Sequence, residues 1–146
     1  MFRFHKPLDV ITLFHKPSLA SSTRALNLLK QASETASETA TQSQASDPRR
    51  HARVQRSQFD FNVTEDPPTP DQLKIIMDYM ESQPNGLRPG DLVEGARDRV
   101  DALRRLKEDG ERFKRPVVVD WNNGKAVLGT DESAILKLLS EEPPEH

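Results

Sequence analysis

Arg115-Pro116-Val117-Val118-Val119-Asp120-Trp121-Asn122-Asn123-Gly124-Lys125-Ala126-Val127-Leu128-Gly129 is a hairpin written in sequence. Three consecutive valines are β-branched and apolar, which suits a buried strand. Asn122-Asn123-Gly124 offers the residues that tolerate positive φ in a tight turn, and Ala126-Val127-Leu128 is the return strand. Gly129-Thr130 leads into a helix with Ile135, Leu138 and Leu139 on one face, closed by Pro143-Pro144.

Working outward, Asp9–Phe14 is a second buried strand, bounded on both sides by a Lys-Pro step. Small residues from Ser18 to Ser22 follow it. They open a helix whose apolar positions are Ala25, Leu28, Leu29 and Ala32, with Ser21 or Ser22 as its cap. Phe59, Phe61 and Val63 alternate with Asp60 and Asn62, the pattern of a strand with one buried face. Thr69-Pro70-Asp71-Gln72 then combines an N-cap threonine, a proline in the first turn and a capping-box glutamine. Leu73, Ile76, Met77 and Met80 form the stripe of the helix that follows. After the turn signals Pro84-Asn85-Gly86 and Pro89-Gly90, one further helix is expected from about Asp91 to Lys107. Its expected inner face is Leu92, Ala96, Val100 and Leu103, with the pairs Arg97–Asp101 and Asp101–Arg105 outside, as a solvated charged face.

The predicted order is strand, helix, strand, helix, helix, strand, strand, helix. A helix between the first two strands makes them parallel, with a right-handed crossover. The last two strands are antiparallel. This is an α/β (mixed α+β) domain of thioredoxin-like arrangement, a four-stranded mixed sheet flanked by helices, with one additional helix before the third strand. The domain is expected over residues 9–140. Residues 1–8 form a short targeting arm, 33–57 a low-complexity insertion and 141–146 a tail. The insertion holds the tandem Ser33-Glu34-Thr35-Ala36 and Ser37-Glu38-Thr39-Ala40, then Arg49, Arg50, Arg53 and Arg56, and suggests a loop or a frayed helix end.

The 146 residues are 30% charged, with a formal net charge of -2 that hides an asymmetry. Residues 1–56 carry nine basic and four acidic side chains; residues 57–146 carry twelve and nineteen. The basic half suits an acidic partner or a membrane surface, and the acidic half argues against nucleic acid. No apolar run reaches the roughly 18–20 residues of a membrane span. There is no cysteine. Disulfides, thiolate nucleophiles and cysteine-ligated metals are therefore excluded. No cofactor motif is present, and no histidine pair has the spacing of a helical zinc site. Oligomeric state is left open.

Two stretches carry a family resemblance. Ile11-Thr12-Leu13-Phe14-His15-Lys16-Pro17-Ser18 with Ser21–Leu29, and Arg115-Pro116-Val117-Val118-Val119 through Leu128-Gly129, resemble arsenate-reductase-like proteins. In those, a strand ends in a His-x-Pro turn and a cysteine starts the next helix. Ile11–Leu29, Pro70–Met80 and Val119-Asp120-Trp121-Asn122 with Leu128-Gly129 resemble more closely a fungal mitochondrial family of thioredoxin fold, known as putative redox proteins. The resemblance implies a mitochondrial oxidoreductase acting on small molecules, with a transit peptide. It also implies that the Arg115–Pro116 peptide is cis and that Pro116 faces the loop Pro17 to Ser22.

The departure lies at the nucleophile. Leu19 or Ala20 stands where the arsenate-reductase-like proteins have cysteine. Ser18 and Ser21 hold a Ser-x-x-Ser spacing, as if oxygen had replaced sulfur in a Cys-x-x-Cys pair. A hydroxyl cannot shuttle electrons, so such an exchange keeps the site's shape and removes its redox chemistry. The expected site is thus Ser18 and Ser21 at the catalytic positions, with His15, Pro17, Ser22, Arg24 and Pro116 binding the ligand, either a small molecule or glutathione. Competing readings are a non-catalytic module for a peptide or protein, an acid–base enzyme using His15 and a carboxylate, and a hydrolytic triad of Ser18, His15 and Asp120. The bland reading of the serines is helix capping.

Overall fold

In the computed structural model, which describes residues 8–41, 58–83 and 87–140, the first strand β1 (Asp9–Phe14) lies inside a single four-stranded sheet. β1 pairs in parallel with β2 (Phe59–Thr64) and antiparallel with β3 (Val117–Asp120). β4 (Lys125–Leu128) closes the other side of β3, giving the order β2-β1-β3-β4. Gly124 turns the hairpin at φ 65, a conformation that suits a residue without Cβ. The expected four-stranded mixed sheet is therefore what the chain forms.

Two-residue alternation sends the strands' side chains to opposite faces. Ile11, Leu13 and Val118 meet α1 (Ala20–Thr41) and the last helix α5 (Glu132–Ser140) through Ala25, Leu29, Ile135 and Leu138. Phe14, Val117 and Val119 face the other way. They pack on α2 (Pro70–Glu81), the short α3 (Pro89–Leu92) and α4 (Arg99–Glu108) through Leu73, Ile76, Met77, Leu92 and Ala102. Each fully buried aliphatic or aromatic side chain contributes about 1.5–3 kcal/mol. α2 starts as its sequence dictates: Thr69 Oγ1 accepts the Gln72 N–H at 3.1 Å and Gln72 Oε1 accepts the Thr69 N–H at 3.0 Å. Leu73, Ile76, Met77 and Met80 are all buried.

Two expectations need correction. The helix over 91–107 is two helices. α3 stops at Leu92, Gly95 takes φ 82, and Asp98 caps α4 by accepting the Asp101 N–H at 2.8 Å. The new register leaves Val100 76% exposed and buries Ala102 and Leu106 instead. Second, Val63 is 40% exposed, so the inward pattern of β2 holds at Phe59 and weakens toward the strand's end. The start of the low-complexity stretch follows its helix-end alternative, since α1 runs through Ser33–Ala36 and on to Thr41; residues 42–57 lie outside the described residues. Residues 1–7 of the expected arm 1–8, and the expected tail, lie outside them too.

The Asp101 ion pairs are not a solvated face either. Asp101 is buried and serves as a hub. Its carboxylate accepts the Arg97 N–H at 2.9 Å, Arg105 Nε at 3.0 Å and Arg104 Nη2. These contacts, the Arg97 backbone bond first, hold the carboxyl well below the usual carboxylate range. They also tie the turn after α3 to the first coils of α4. A carboxyl depressed on folding stabilises fully above its unfolded pKa of about 3.9, and that contribution fades as pH falls below it. Asp101→Asn is therefore expected to lower the urea midpoint at pH 7. It should also shrink the further drop between pH 5 and pH 3 relative to wild type; an unchanged pH profile would show that the hub is not coupled to folding.

Candidate functional site

The end of β1 and the start of α1 meet the start of β3 at one rim of the sheet. The Arg115–Pro116 peptide is cis, as the resemblance implied. Pro116 is buried and lines a cleft of about 390 Å³ together with Lys16 and Leu19 from the β1–α1 loop. Leu128 and Thr130 come from the end of the hairpin. Asp91 comes from α3 itself and Glu94 from the turn after it; Glu111, Arg112 and Phe113 come from the 3-10 turn Gly110–Arg112 and its exit.

Backbone bonds build the far wall. The Lys114 N–H donates to Leu92 O at 2.7 Å and the Glu94 N–H to Arg112 O at 2.9 Å, around the bridge between Val93 and Phe113. Phe113 anchors this wall by packing edge-on against Phe14, ring centroids 5.5 Å apart. On the near wall, the Gly129 N–H donates to Pro116 O at 2.7 Å. A Cβ on Gly129 would stand 2.8 Å from Pro116 Cβ, so only glycine lets the two segments approach this closely.

Four basic and three acidic residues line the cleft. Arg115 is its most buried charge, with a side chain only 3% exposed. Its Nη1 donates to Glu65 O at 2.7 Å and its Nη2 to Glu111 Oε1 at 2.9 Å. The Nε atoms of Arg115 and Arg112 are buried and meet no acceptor among the described residues. Buried guanidinium donors left over in this way call for an acceptor that the surrounding side chains do not supply.

His15, Ser22 and Lys16 form the support behind the loop. His15 and Ser22 are buried, with His15 Nδ1 and Ser22 Oγ 2.6 Å apart. Ser22 Oγ also accepts the Lys16 N–H at 2.8 Å. A hydroxyl can serve both, because it has two lone pairs and one proton. Ser22 is thus not the helix cap expected of it. α1 already starts at Ala20, the N–H groups of Ser22 and Thr23 both reach Leu19 O, and the Ser22 side chain turns back to hold the loop. Ser22→Ala would leave the Lys16 N–H and the His15 ring without this partner, at a cost of about 1–3 kcal/mol. The expected result is a lower urea midpoint with a loosened loop, read as faster amide exchange at Lys16 and Leu19. Unchanged exchange would show that the bond is dispensable.

The other expected site residues are dispersed. Pro17 and Ser18 are exposed and Ser21 is half-buried; none of the three lines the cleft among the described residues. Arg24 is engaged with Glu132 of α5, Nε to Oε2 at 3.4 Å, on the surface. Asp120 pairs with Ile11, four residues along β1 from His15, roughly 13 Å at strand rise. The triad of Ser18, His15 and Asp120 is therefore not assembled. Sequence pattern does not reveal the cleft's polar walls, Glu111, Arg112, Arg115, Asp91 and Glu94, because the two segments that carry them meet only across the bridge between Val93 and Phe113. Gly95 and the capping aspartate Asp98 are the signals that could have split the expected helix over 91–107.

The fold and site define a class: a mixed α+β domain with a charged cleft at a cis-proline and no cysteine beside it. A family model described as "Protein of unknown function (DUF1687)" matches residues 2–131, and the chain belongs to that family. A curated relative from Schizosaccharomyces pombe, named "Putative redox protein fmp46, mitochondrial", is 37% identical over 67 residues. That match spans 46% of this chain and 52% of the relative, about half the length of each. No solved structure matches the chain. Among the described residues no helix is long and apolar enough to cross a membrane.

Proposed function

We propose that this chain is a mitochondrial member of a redox-protein lineage with a thioredoxin-like domain, and that it binds a small anionic molecule of the glutathione kind without exchanging electrons through a thiol. The observation that carries the reading is the cleft at Pro116. A buried guanidinium, an apolar wall and a helix start converge on a space of about 390 Å³. Helix N-termini and buried arginines favour anionic oxygens. The mitochondrial and redox parts rest on the name of the fission-yeast relative and on the family resemblance. The sulfur-free loop decides the chemistry: with no cysteine in 146 residues, dithiol exchange is closed to the chain by itself. Within the site, Arg115 and Lys16 would meet the ligand's carboxylate, Leu19 and Leu128 its apolar stem, and Ser22 with His15 would hold the loop in place. Ser18 and Ser21 act at most at the margin of this site.

The second reading is a non-catalytic module that takes an extended peptide along the same wall. Leu19, 38% exposed beside Pro116, favours it, because a free apolar side chain suits a peptide's side chain. Both readings face the same pair of measurements on the pure chain: a glutathione-coupled disulfide reduction assay and a glutathione titration by NMR. Saturable shifts at Lys16, Leu19 and Arg115 with no turnover are expected. Turnover above the buffer blank would overturn the thiol-free mechanism. An absence of shifts would remove the small-molecule reading in favour of the peptide module.

A further inference from the structure

Glu111 occupies an unusual position in this cleft. Its carboxylate oxygen Oε1 accepts from Arg115 Nη2 at 2.9 Å and sits 4.0 Å from Lys16 Nζ. It therefore lies between the two cations expected to hold a ligand's anionic end. The Glu111 side chain is 67% exposed, whereas the Arg115 side chain it touches is 3% exposed. The backbone beneath it is fixed. The Glu111 N–H donates to Asp109 Oδ1 at 3.0 Å, and Gly110 is seated so tightly on Pro67 that a Cβ there would lie 2.7 Å from its ring. Rotation of the exposed side chain is the movement left to Glu111, and it needs no rearrangement of the fold.

We infer that Glu111 is an internal placeholder: its carboxylate fills the slot between Arg115 and Lys16 and is exchanged for the carboxylate, or a related oxyanion, of the incoming ligand. The inference rests on the binding reading above and deepens it by naming the ligand's anchoring group and the residue that competes with it. The chemistry of the slot supports the exchange. Arg115 is buried with a further N–H, on Nε, that has no acceptor among the described residues, and Glu111 engages only Nη2 of the same guanidinium. A free oxyanion is not tethered to the 3-10 turn, so it can approach the guanidinium edge-on and take two N–H groups at once. Release of Glu111 into water costs little, because its side chain is already mostly solvated. A self-ligand that holds the slot nine-tenths of the time weakens the apparent affinity about tenfold.

Calorimetric titration of the full chain with glutathione, with glutathione diethyl ester and with sulfate tests the exchange. Glu111→Gln is expected to bind glutathione about tenfold more tightly than wild type. Glu108→Gln, which removes the same charge outside the cleft, from Arg104 of α4, is expected to change it by less than about twofold. The ester, lacking carboxylates, should bind weakly to all three proteins. Lys16→Gln in the Glu111→Gln background should lose most of the gain. A parallel gain for sulfate identifies oxyanions in general as the anchoring group, and a gain confined to glutathione identifies the carboxylate; either supports the placeholder. Equal affinities of wild type and Glu111→Gln, or an equal gain in Glu108→Gln, overturn the placeholder and leave the binding reading standing. An absence of glutathione binding in wild type and Glu111→Gln alike, with melting curves showing both folded, overturns both.

Discussion

Alanine at position 129 is expected to cost about 1–3 kcal/mol and to close the cleft, although the change adds a single methyl group. The added Cβ would lie 2.8 Å from Pro116 Cβ, 2.9 Å from its Cγ and 3.2 Å from its carbonyl carbon. The contacts are with a ring and with backbone, neither of which can swing aside. The Gly129 N–H to Pro116 O bond, at 2.7 Å, holds the two segments together, so relief of the clash must stretch it. Domains of this size have only about 5–15 kcal/mol of stability, so the loss is a substantial part of the whole. Urea melts of Gly129→Ala against wild type measure it, and ligand titration of the folded fraction reads the cleft. A variant within about 0.5 kcal/mol of wild type would mean that Pro116 moves freely, and that the near wall is not the rigid element described.

The second large effect is a gain. Leu19→Cys is expected to give the chain a reactive thiol where it now has none. Leu19 immediately precedes α1, its carbonyl accepts the first amides of that helix, and its side chain lines the cleft with Pro116. A thiol at a helix N-terminus titrates below its ordinary value of about 8.5, so it should alkylate with iodoacetamide faster than a free cysteine at pH 7. In a coupled assay with hydroxyethyl disulfide, the thiolate attacks one sulfur and expels one equivalent of mercaptoethanol. Glutathione then attacks the mixed disulfide and regenerates the thiol. Ala20→Cys, one residue further on and not lining the cleft, should react with iodoacetamide but turn over less. An inert Leu19→Cys, folded by its melting curve, would show that the site's geometry does not support thiol chemistry.

Much of this architecture is readable from residue patterns, for identifiable reasons. Short runs rich in β-branched and apolar residues and bounded by turn signals, such as Val117–Val119 and Ile11–Phe14, suit a strand buried on both faces. Thr69-Pro70-Asp71-Gln72 states its capping box in side chains alone. The cis peptide before Pro116 came from likeness to other proteins rather than from any local signal. The failures are equally specific. The charged stretch after Asp91 has helical spacing on both sides of a break, so periodicity ran through Gly95 without registering it. Asp101 read as a surface residue because charge is a poor guide to burial when three arginines converge on it. The site was only half legible. Ser18 and Ser21 stand out only by resemblance to a cysteine pair, while the polar groups that shape the cleft, Glu111, Arg112 and Arg115, come together only through the Val93–Phe113 bridge, which no sequence window spans.

The place of β1 in the sheet has a consequence for biogenesis. Synthesis proceeds from the N-terminus, and this strand is among the first parts of the domain to appear. One flank is covered when Phe59–Thr64 emerges; the other stays bare until Val117–Asp120 arrives, with Ile11 waiting for Asp120. Throughout most of translation, then, the nascent polypeptide carries an open row of amides and carbonyls on a strand whose last four residues are buried in the finished fold. Such a chain completes its tertiary structure only after nearly the whole domain has been made, and until then that edge is open to pairing with a neighbour.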